Sequence, residues 1–483
     1  MEAITREEKL MSAASSGKSS GIKPITREEM FLSYIAGESK DKPKPITRKE
    51  MFLDKIEKGE GGGTSGGGDI VALLEGTIEE ITIPNEVTKL RNGAFVGFDV
   101  LKEINADESH EVYASADGIL YTKDGKKLVS YPPAKEEIEY IMPDSVEEVE
   151  SMAFNGTTRL ERVVVGENLK TFPKNMAIEN EEVEIALIAN ADILSQGGVY
   201  PVESKVINSF VIPKETAYVS VTAIDTLPNI ENIYYNGGEL EVVGYDNGKG
   251  TMLYQNLFTN TYKLKKLVVN IKDIPDNFMP NSSSATTLII GDDVETIGDN
   301  AFTSQYSNAN LIIGNNVKSI GYGAFQNSSI RGTVIIPDSV TELVEGTSLD
   351  MNGCRTFYRT TITGVVIGKG LTRLGTHMFS ETFLEEVTIP SNIKVIGGAF
   401  IQCYQLTKVE IEEGVETIES SAFSMCFNLA DVYIPRSVTS IDSSAFISAG
   451  TNVEGGLTIH GYAGSYAETF ATENGFNFEV IEE

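Results

Sequence analysis

The chain has 483 residues, 41% of them hydrophobic, which is enough for two to four ordinary domains or for one long repeat array. Its net charge of −31 argues against nucleic acid or an anionic membrane surface as a partner, because both require a basic face. The charge is uneven: residues 1–58 carry 12 Lys or Arg and 10 Asp or Glu, so the excess acid lies in the remainder. This shift predicts two parts with different roles.

The first residues, MEAITREEKLMSAASSGK, lack the basic segment and following apolar segment of a secretory signal peptide. No apolar run in the sequence approaches the length needed to span a bilayer. We therefore expect a chain made in a cytoplasm, without a signal peptide, a transmembrane segment or membrane insertion.

Residues 1–58 contain a short motif three times, with a spacing of 21 residues between Ile4, Ile25 and Ile46. The copies read AITREEKL, KPITREEMFL and KPITRKEMFL. In each copy a Thr stands three positions before a Glu, which is a capping box that begins a helix. Helices of about ten residues are marginal in water. The pattern therefore predicts three tethered helices that dock into grooves of a partner.

The expected docking side chains are apolar and belong to the second and third copies: Ile25, Met30, Phe31, Ile35, Ile46, Met51, Phe52 and Ile56. The first copy has Lys9-Leu10 in place of Met-Phe, which weakens its docking stripe. Two alternatives are a disordered tail and helices that bundle with one another. The Gly-rich residues 59–69 are expected to be a linker.

Residues 70–483 contain a different repeat, of the form V-x-I-P-x-x-V-x-x-I-x-x-x-A-F, with a period of 23 residues at Phe400, Phe423 and Phe446. The first alternation predicts a half-buried strand, which Pro or Gly ends, and the second, V-x-x-I, is expected to form a second side of the coil. One repeat cannot bury its apolar side alone, so the repeats must stack into a solenoid.

The phenylalanines of the Ala-Phe pairs and their equivalents are expected to form one buried ladder: Phe95, Phe154, Phe302, Phe325, Phe379, Phe400, Phe423 and Phe446. Residues 178–280 depart from the consensus, and the sequence leaves open whether they are irregular coils or an inserted subdomain. Residues 461–483 should close the core as a cap, with Ser465 and Glu468 as a capping box and Gly475 as the helix stop.

Outward positions of the strands should form a continuous surface row, in which Thr388, Glu410 and Tyr433 are the candidate ligand face. The irregular residues 178–280 are a second candidate.

The sequence offers no motif for catalysis, and we expect no enzyme, cofactor or metal site. Gly63-Thr64-Ser65-Gly66-Gly67 fits a nucleophile motif but lies in the linker, without the strand and helix that this motif needs. Cys403 and Cys426 occupy equivalent repeat positions and should fill the core, although a disulfide between them is geometrically possible. Acidic pairs such as Asp292-Asp293 and Glu412-Glu413 are interpreted as solvated charge at turns, with weak calcium binding as the alternative.

The repeat resembles the BspA-like leucine-rich repeat family over about residues 70–483. The hairpin sequence ADGILYTKDGKKLVSYPP (116–133) and the ending IHGYAGSYAETFATENGFNFEVI add to the likeness. Asp124-Gly125 in this hairpin suits a type I′ turn. The resemblance implies an α/β, β-rich solenoid and, most commonly, an adhesin.

The tandem Pro-Ile-Thr-Arg-Lys/Glu-Glu-Met-Phe-Leu segments resemble those that open head-fibre and tail-fibre proteins of phages infecting gut bacteria. That resemblance implies a virion structural protein, held by residues 1–58 on a symmetric multimeric virion protein. The solenoid would then bind a host surface protein or a glycan. The alternatives are a bacterial cell-surface adhesin and an intracellular scaffold.

Overall fold

The computed structural model describes residues 78–482, apart from residue 86 and residues 171–182, 196–205, 220–222, 224–226, 241–242, 247–251, 256–260, 280–283, 305–307 and 347–352. The three predicted docking helices in residues 1–58, with their eight docking side chains, lie outside the described residues. The predicted linker at 59–69 does too.

Short strands make up nearly all of the regular structure that is described. The first seventeen are β1 (Glu80–Ile83), β2 (Glu103–Ala106), β3 (Tyr113–Ala116), β4 (Ile119–Thr122), β5 (Lys127–Ser130), β6 (Glu139–Ile141), β7 (Glu148–Val149), β8 (Arg162–Val165), β9 (Glu184–Ile188), β10 (Ser209–Ile212), β11 (Tyr218–Val219), β12 (Asn232–Tyr235), β13 (Glu239–Leu240), β14 (Val243–Asp246), β15 (Met252–Gln255), β16 (Lys266–Val269) and β17 (Asp273–Ile274). The rest are β18 (Thr287–Ile290), β19 (Thr296–Ile297), β20 (Asn310–Ile313), β21 (Ser319–Ile320), β22 (Arg331–Ile335), β23 (Glu342–Leu343), β24 (Thr361–Val366), β25 (Arg373–Leu374), β26 (Glu386–Ile389), β27 (Val395–Ile396), β28 (Lys408–Ile411), β29 (Thr417–Ile418), β30 (Asp431–Tyr433), β31 (Ser440–Ile441), β32 (Thr458–Gly461) and β33 (Asn477–Val480). Two helices are described, α1 (Ala191–Ser195) and α2 (Tyr466–Asn474).

The chain forms two compact units. The described residues of unit one are 78–138 and 148–160, in which β1 pairs with β2 in parallel and a second sheet has the order β3-β4-β5-β7. Phe95 packs edge-to-face on Phe98, with ring centroids 6.4 Å apart, and Phe154 stacks on Tyr131 at 5.6 Å. The two predicted ladder phenylalanines of this unit are therefore buried in its core.

The turn at Asp124-Gly125 differs from the predicted type I′ geometry. Only Gly125 has a positive φ, of 71°, and its N–H donates to the Thr122 carbonyl at 2.8 Å. The prediction was wrong because the Asp124 carboxylate accepts from the Thr122 hydroxyl and the Lys126 N–H, which holds a wider turn. The expected pair of positive φ angles instead occurs in the preceding hairpin, at Asp117 (49°) and Gly118 (72°).

Unit two, in its described residues 139–147, 161–170 and 183–482, is a solenoid of parallel strands. Its main side consists of an eight-stranded sheet in the order β20-β18-β16-β12-β10-β9-β8-β6, the pair β22-β24, and a five-stranded sheet in the order β26-β28-β30-β32-β33. Its second side consists of two-residue strands in the sheets β17-β19-β21-β23 and β25-β27-β29-β31. Alternate residues of these strands are buried and exposed, as the sequence predicts.

Residues 178–280 combine both possibilities that the sequence leaves open. Strands β9, β10, β12 and β16 join the main sheet, so this region contributes coils of the solenoid. Strands β14 and β15 instead form an antiparallel hairpin that pairs with no other described strand, so one element is inserted between the coils.

A continuous stack of phenylalanine rings runs through the core of unit two. Adjacent rings lie 5.3 to 5.7 Å apart and are tilted by 4° to 16°; the members are Phe302, Phe325, Phe357, Phe379, Phe400, Phe423 and Phe446. Six of the eight predicted ladder residues are members. Phe95 and Phe154 instead pack in unit one, and Phe357 was missed. Phe278 precedes the stack and meets Phe302 edge-to-face at 5.9 Å.

Left-handed backbone lies two residues after every ring of the stack and, except at Phe400 and Phe446, also two residues before it. Ser421 (φ 60°) lies two residues before Phe423, and Met425 (φ 59°) lies two residues after it. Such residues cost about 1–3 kcal/mol each. Hydrogen bonds to the next coil offset this cost, because the N–H groups of Phe423 and Met425 each donate to a carbonyl of the following repeat at 2.8 Å.

The cysteines are free and buried. The Sγ of Cys403 donates to the Phe379 carbonyl at 3.1 Å, and that of Cys426 donates to the Phe400 carbonyl at 3.0 Å. Burial raises the pKa of the Cys426 thiol, and raises that of Cys354 to about 11. The prediction that Cys403 and Cys426 fill the core is confirmed.

The predicted C-terminal cap is present as α2. Ser465 is its N-cap and accepts from the Glu468 N–H, while Gly475 ends the helix with a φ of 76°. The Phe470 ring lies 5.9 Å from Phe446, so the cap covers the last ring of the stack.

Replacing Phe423 with Ala should destabilise unit two by about 3–5 kcal/mol, because the ring has a neighbour on each face and its loss leaves a cavity. Urea unfolding followed by far-UV circular dichroism measures this loss. Phe383→Ala is the control, since that ring is 50% exposed. If both variants lost the same free energy of unfolding, the stack would not be a main source of stability.

Candidate functional site

The outward positions of the five C-terminal strands form two rows. Thr388, Glu410, Tyr433, His460 and Glu479 pair in register, each with its neighbour on the next strand, and we call them the C-terminal row. The structure thus places the three predicted ligand-face residues side by side on one outward row. The neighbouring row consists of Glu386, Lys408, Asp431, Thr458 and Asn477.

Tyr433 lies at the centre of this surface and is contacted on two sides. The ammonium of Lys408 lies 5.2 Å from the ring centroid, and the His460 ring stacks on Tyr433 with centroids 4.3 Å apart. Lys408 also pairs with Glu410 at 2.5 Å, which raises the pKa of the lysine. The tyrosine is therefore held in one orientation before any ligand arrives.

His460 belongs to this surface but was not among the predicted residues. Its Nε2 lies 2.7 Å from an Asp431 carboxylate oxygen and its Nδ1 lies 3.5 Å from Glu479, and the side chain is only 13% exposed. The regular repeat period does not reach it, because the turn between Phe446 and β32 is longer than in the other repeats. The alternation of apolar and polar residues in LTIHG could have predicted that His460 points outward.

A second polar cluster lies on the outward face of the eight-stranded sheet, in the region of 178–280. The Tyr234 hydroxyl donates to Glu184 at 2.7 Å and accepts from Lys266 at 3.0 Å. The Lys266 ammonium lies 5.0 Å from the ring centroid, and Arg162 lies 5.8 Å from it. Burial raises the pKa of Tyr234 above its ordinary value.

Aliphatic side chains flank Tyr234 along the same outward row. In order of pairing, this row, which we call the apolar row, consists of Ile188, Val211, Tyr234, Val268, Ile289 and Ile312. Ile312 is 53% exposed, and the paired Ile335 and Val366 of β22 and β24 are 60% and 52% exposed. Apolar side chains aligned on a solvent face favour contact with a partner.

The acidic pairs at the turns are exposed, as expected of solvated charge, and some of them also bind the next coil. Asp292 accepts from the Asn315 N–H of the next coil at 2.8 Å. Glu413 accepts from the N–H groups of Arg436 and Ser437 at 3.0 and 3.1 Å. Coil corners expose N–H groups outside the strands, and exposed carboxylates satisfy them.

Within the described part of the chain, no group of three or more His, Cys, Asp or Glu side chains is arranged to hold a metal ion. Neither of the two described helices is long and apolar enough to cross a membrane.

These observations define a leucine-rich repeat solenoid with an outward sheet face as its candidate binding surface. The family model described as the BspA type leucine-rich repeat region matches residues 73–116, 135–247, 230–348 and 350–454. The chain therefore belongs to the BspA-type leucine-rich repeat family. The matched residues begin at 73, so the resemblance of residues 1–58 to phage fibre segments stays a prediction.

Three solved structures are similar at low identity. A leucine-rich repeat protein from Eubacterium ventriosum is 16% identical, covering 77% of this chain and 59% of its own, with a TM-score of 0.20. The pneumococcal vaccine antigen PcpA is 14% identical, covering 84% and 56%, with a TM-score of 0.19. A leucine-rich repeat protein from Bacteroides ovatus is 14% identical, covering 83% and 92%, with a TM-score of 0.32.

The chain thus spans 59% and 56% of the length of the first two structures. TM-scores this low carry no argument about function. No curated protein matches this sequence.

Proposed function

We propose that this protein is a non-enzymatic adhesin whose outward sheet face binds a host surface protein or a glycan. The observation that carries the proposal is the register of the outward rows. This register places side chains of similar type next to one another on successive coils, which suits an extended ligand.

The two parts of the face offer different contacts. The apolar row, together with Ile335 and Val366, presents aliphatic surface to solvent. The C-terminal row presents a tyrosine whose orientation is fixed by a lysine and a histidine. Tyrosine is enriched among the residues that dominate binding energy, and prior orientation lowers the entropy lost on binding.

The charged groups of the face are paired with one another, so their orientations are fixed before a ligand binds. Lys408 pairs with Glu410, and His460 lies between Asp431 and Glu479.

Replacing Tyr433 with Ala, or Ile312 with Asp, should weaken attachment to host cells or to an immobilised glycan at least tenfold, about 1.4 kcal/mol. Tyr433→Ala removes the ring that Lys408 and His460 hold, and Ile312→Asp places a charge in the apolar row. Dissociation constants from surface binding measure the effect. Phe383→Asp is the control, because that exposed ring lies outside both rows. Unchanged binding by both variants would exclude this face as the site.

We also propose that residues 1–58 attach the protein to a symmetric multimeric virion protein, in the capsid or the tail. Its support is the threefold Ile-Thr-Arg motif with capping boxes in register, a feature that a purely disordered tail does not require. Ten residues of flexible tether span roughly 17 Å, so the grooves should belong to neighbouring copies of one protein. Tethering makes the later docking steps intramolecular and can raise affinity by roughly 10²–10⁴.

Deleting residues 1–58 should release a folded solenoid from its particles, and replacing Phe31 and Phe52 together with Ala should release nearly as much. Either single change should release less, because the remaining helices stay tethered. Co-sedimentation with particles that lack the protein measures this. Lys18→Ala with Lys40→Ala is the control, since both lysines lie in the tethers.

Mass spectrometry of purified virions decides between this role and the alternatives. A stoichiometric amount of the chain supports the virion role. Its absence there, with the chain found on bacterial cells, would favour the cell-surface adhesin, and its recovery only inside cells would favour a scaffold.

A further inference from the structure

Unit one contains a cavity of about 180 Å³ beside the hairpin strands. Its wall is partly apolar, with Phe95, Val96, Val112 and Met152, and partly polar, with Arg91, Lys127, Glu150 and Asn155. This volume is smaller than that of most drug-sized pockets and suits a molecule of monosaccharide size.

Arg91 is the unusual member of this wall. Its Nε is buried and has no hydrogen-bond partner, and its guanidinium makes no ion pair with any residue that the structure describes. The chain carries 70 acidic and 39 basic residues, so carboxylate partners are abundant. A buried Nε–H group without a partner is costly in free energy, which suits this wall to an anion from outside the protein.

The one acidic residue that lines this wall, Glu150, is already paired. Glu150 pairs with Lys127 at 2.5 Å, and Glu148 lies 4.0 Å from the same lysine. The Tyr113 hydroxyl accepts from the Leu90 N–H at 2.8 Å, which fixes the chain segment that carries Arg91. The backbone segment therefore holds Arg91 at the cavity, while the acid of the wall is paired with Lys127.

The guanidinium and amide groups of the wall indicate which class of ligand fits the cavity. A guanidinium binds a carboxylate through two parallel hydrogen bonds. One unpaired cation balances one negative charge, and the strongly acidic chain around it disfavours a dianion such as phosphate. The side-chain amide of Asn155 makes no hydrogen bond within the described residues, so it is free to bind a hydroxyl group.

We propose that this cavity binds a sugar acid, with Arg91 on its carboxylate, Asn155 on a hydroxyl group and the Phe95 side on the apolar face of the ring. The same chemistry is offered by a free uronic acid and by the end residue of an acidic polysaccharide. This site is independent of the sheet face proposed above.

The test is isothermal titration of the full chain with four probes: D-glucuronate, D-glucose, acetate and tetragalacturonate. We expect glucuronate or the tetragalacturonate to bind, with glucose and acetate at least tenfold weaker. Binding of glucuronate assigns the site to free sugar acids, and binding of the oligomer alone assigns it to polysaccharide ends. No binding of either, or equal binding of glucose or acetate, would overturn the proposal.

Variants separate the site from the fold. Arg91→Gln and Asn155→Ala should each weaken binding at least tenfold, while Lys102→Gln removes a positive charge elsewhere in unit one, from a pair with Glu79, and should not. Without ligand, Arg91→Gln should keep or raise the melting temperature, because it removes an unpaired guanidinium. A clear loss of stability would mean that Arg91 serves the fold, and unchanged binding by Arg91→Gln would equally reject the site.

Discussion

The stack of phenylalanine rings is the contact on which the coils of unit two from Phe302 to Phe446 depend. A single coil has two short strands and a tight corner, which cannot enclose an apolar core by themselves. Each ring is buried only because the coils before and after it supply the faces on which it packs, 5.3 to 5.7 Å away. The strained corners around the rings persist because hydrogen bonds to the next coil hold them.

The same stacking fixes the chemistry of the surface. A parallel ladder with unshifted register brings equivalent outward positions of successive coils next to each other. Single residues that are far apart in sequence thereby become continuous rows, one aliphatic around Tyr234 and one charged around Tyr433. A solenoid can change its binding surface by outward substitutions alone, since these do not disturb the rings.

The excess of acid is partly structural. Exposed carboxylates at the corners accept backbone N–H groups of the next coil, as Asp292 and Glu413 do. Many of the described lysines and arginines bridge neighbouring coils, as Lys318 does with Glu295 and Lys170 with Glu147. Such pairs are exposed and individually weak, so their main effect is on register rather than on total stability. Arg91 stands apart from this pattern because it faces a cavity and has no such partner.

The sequence by itself determined the solenoid, the six regular rings, the cap and the row of Thr388, Glu410 and Tyr433. Each of these follows from a local pattern of alternation, spacing or helix capping, which neighbouring coils only reinforce. Phe357 was not predicted because residues inserted before it break the period. His460 was not predicted because a longer turn precedes β32. The geometry of the turn at Asp124-Gly125 depends on side-chain hydrogen bonds, which the Asp-Gly dipeptide alone does not specify.

Only the tertiary structure could assemble Tyr234 with Glu184 and Lys266, or leave Arg91 at a cavity without a partner. These contacts depend on which coils stack and on which carboxylates are already paired. No local sequence pattern predicts either of these. The three tethered helices of residues 1–58 remain a prediction from sequence, because an isolated helix that short depends on the groove it meets.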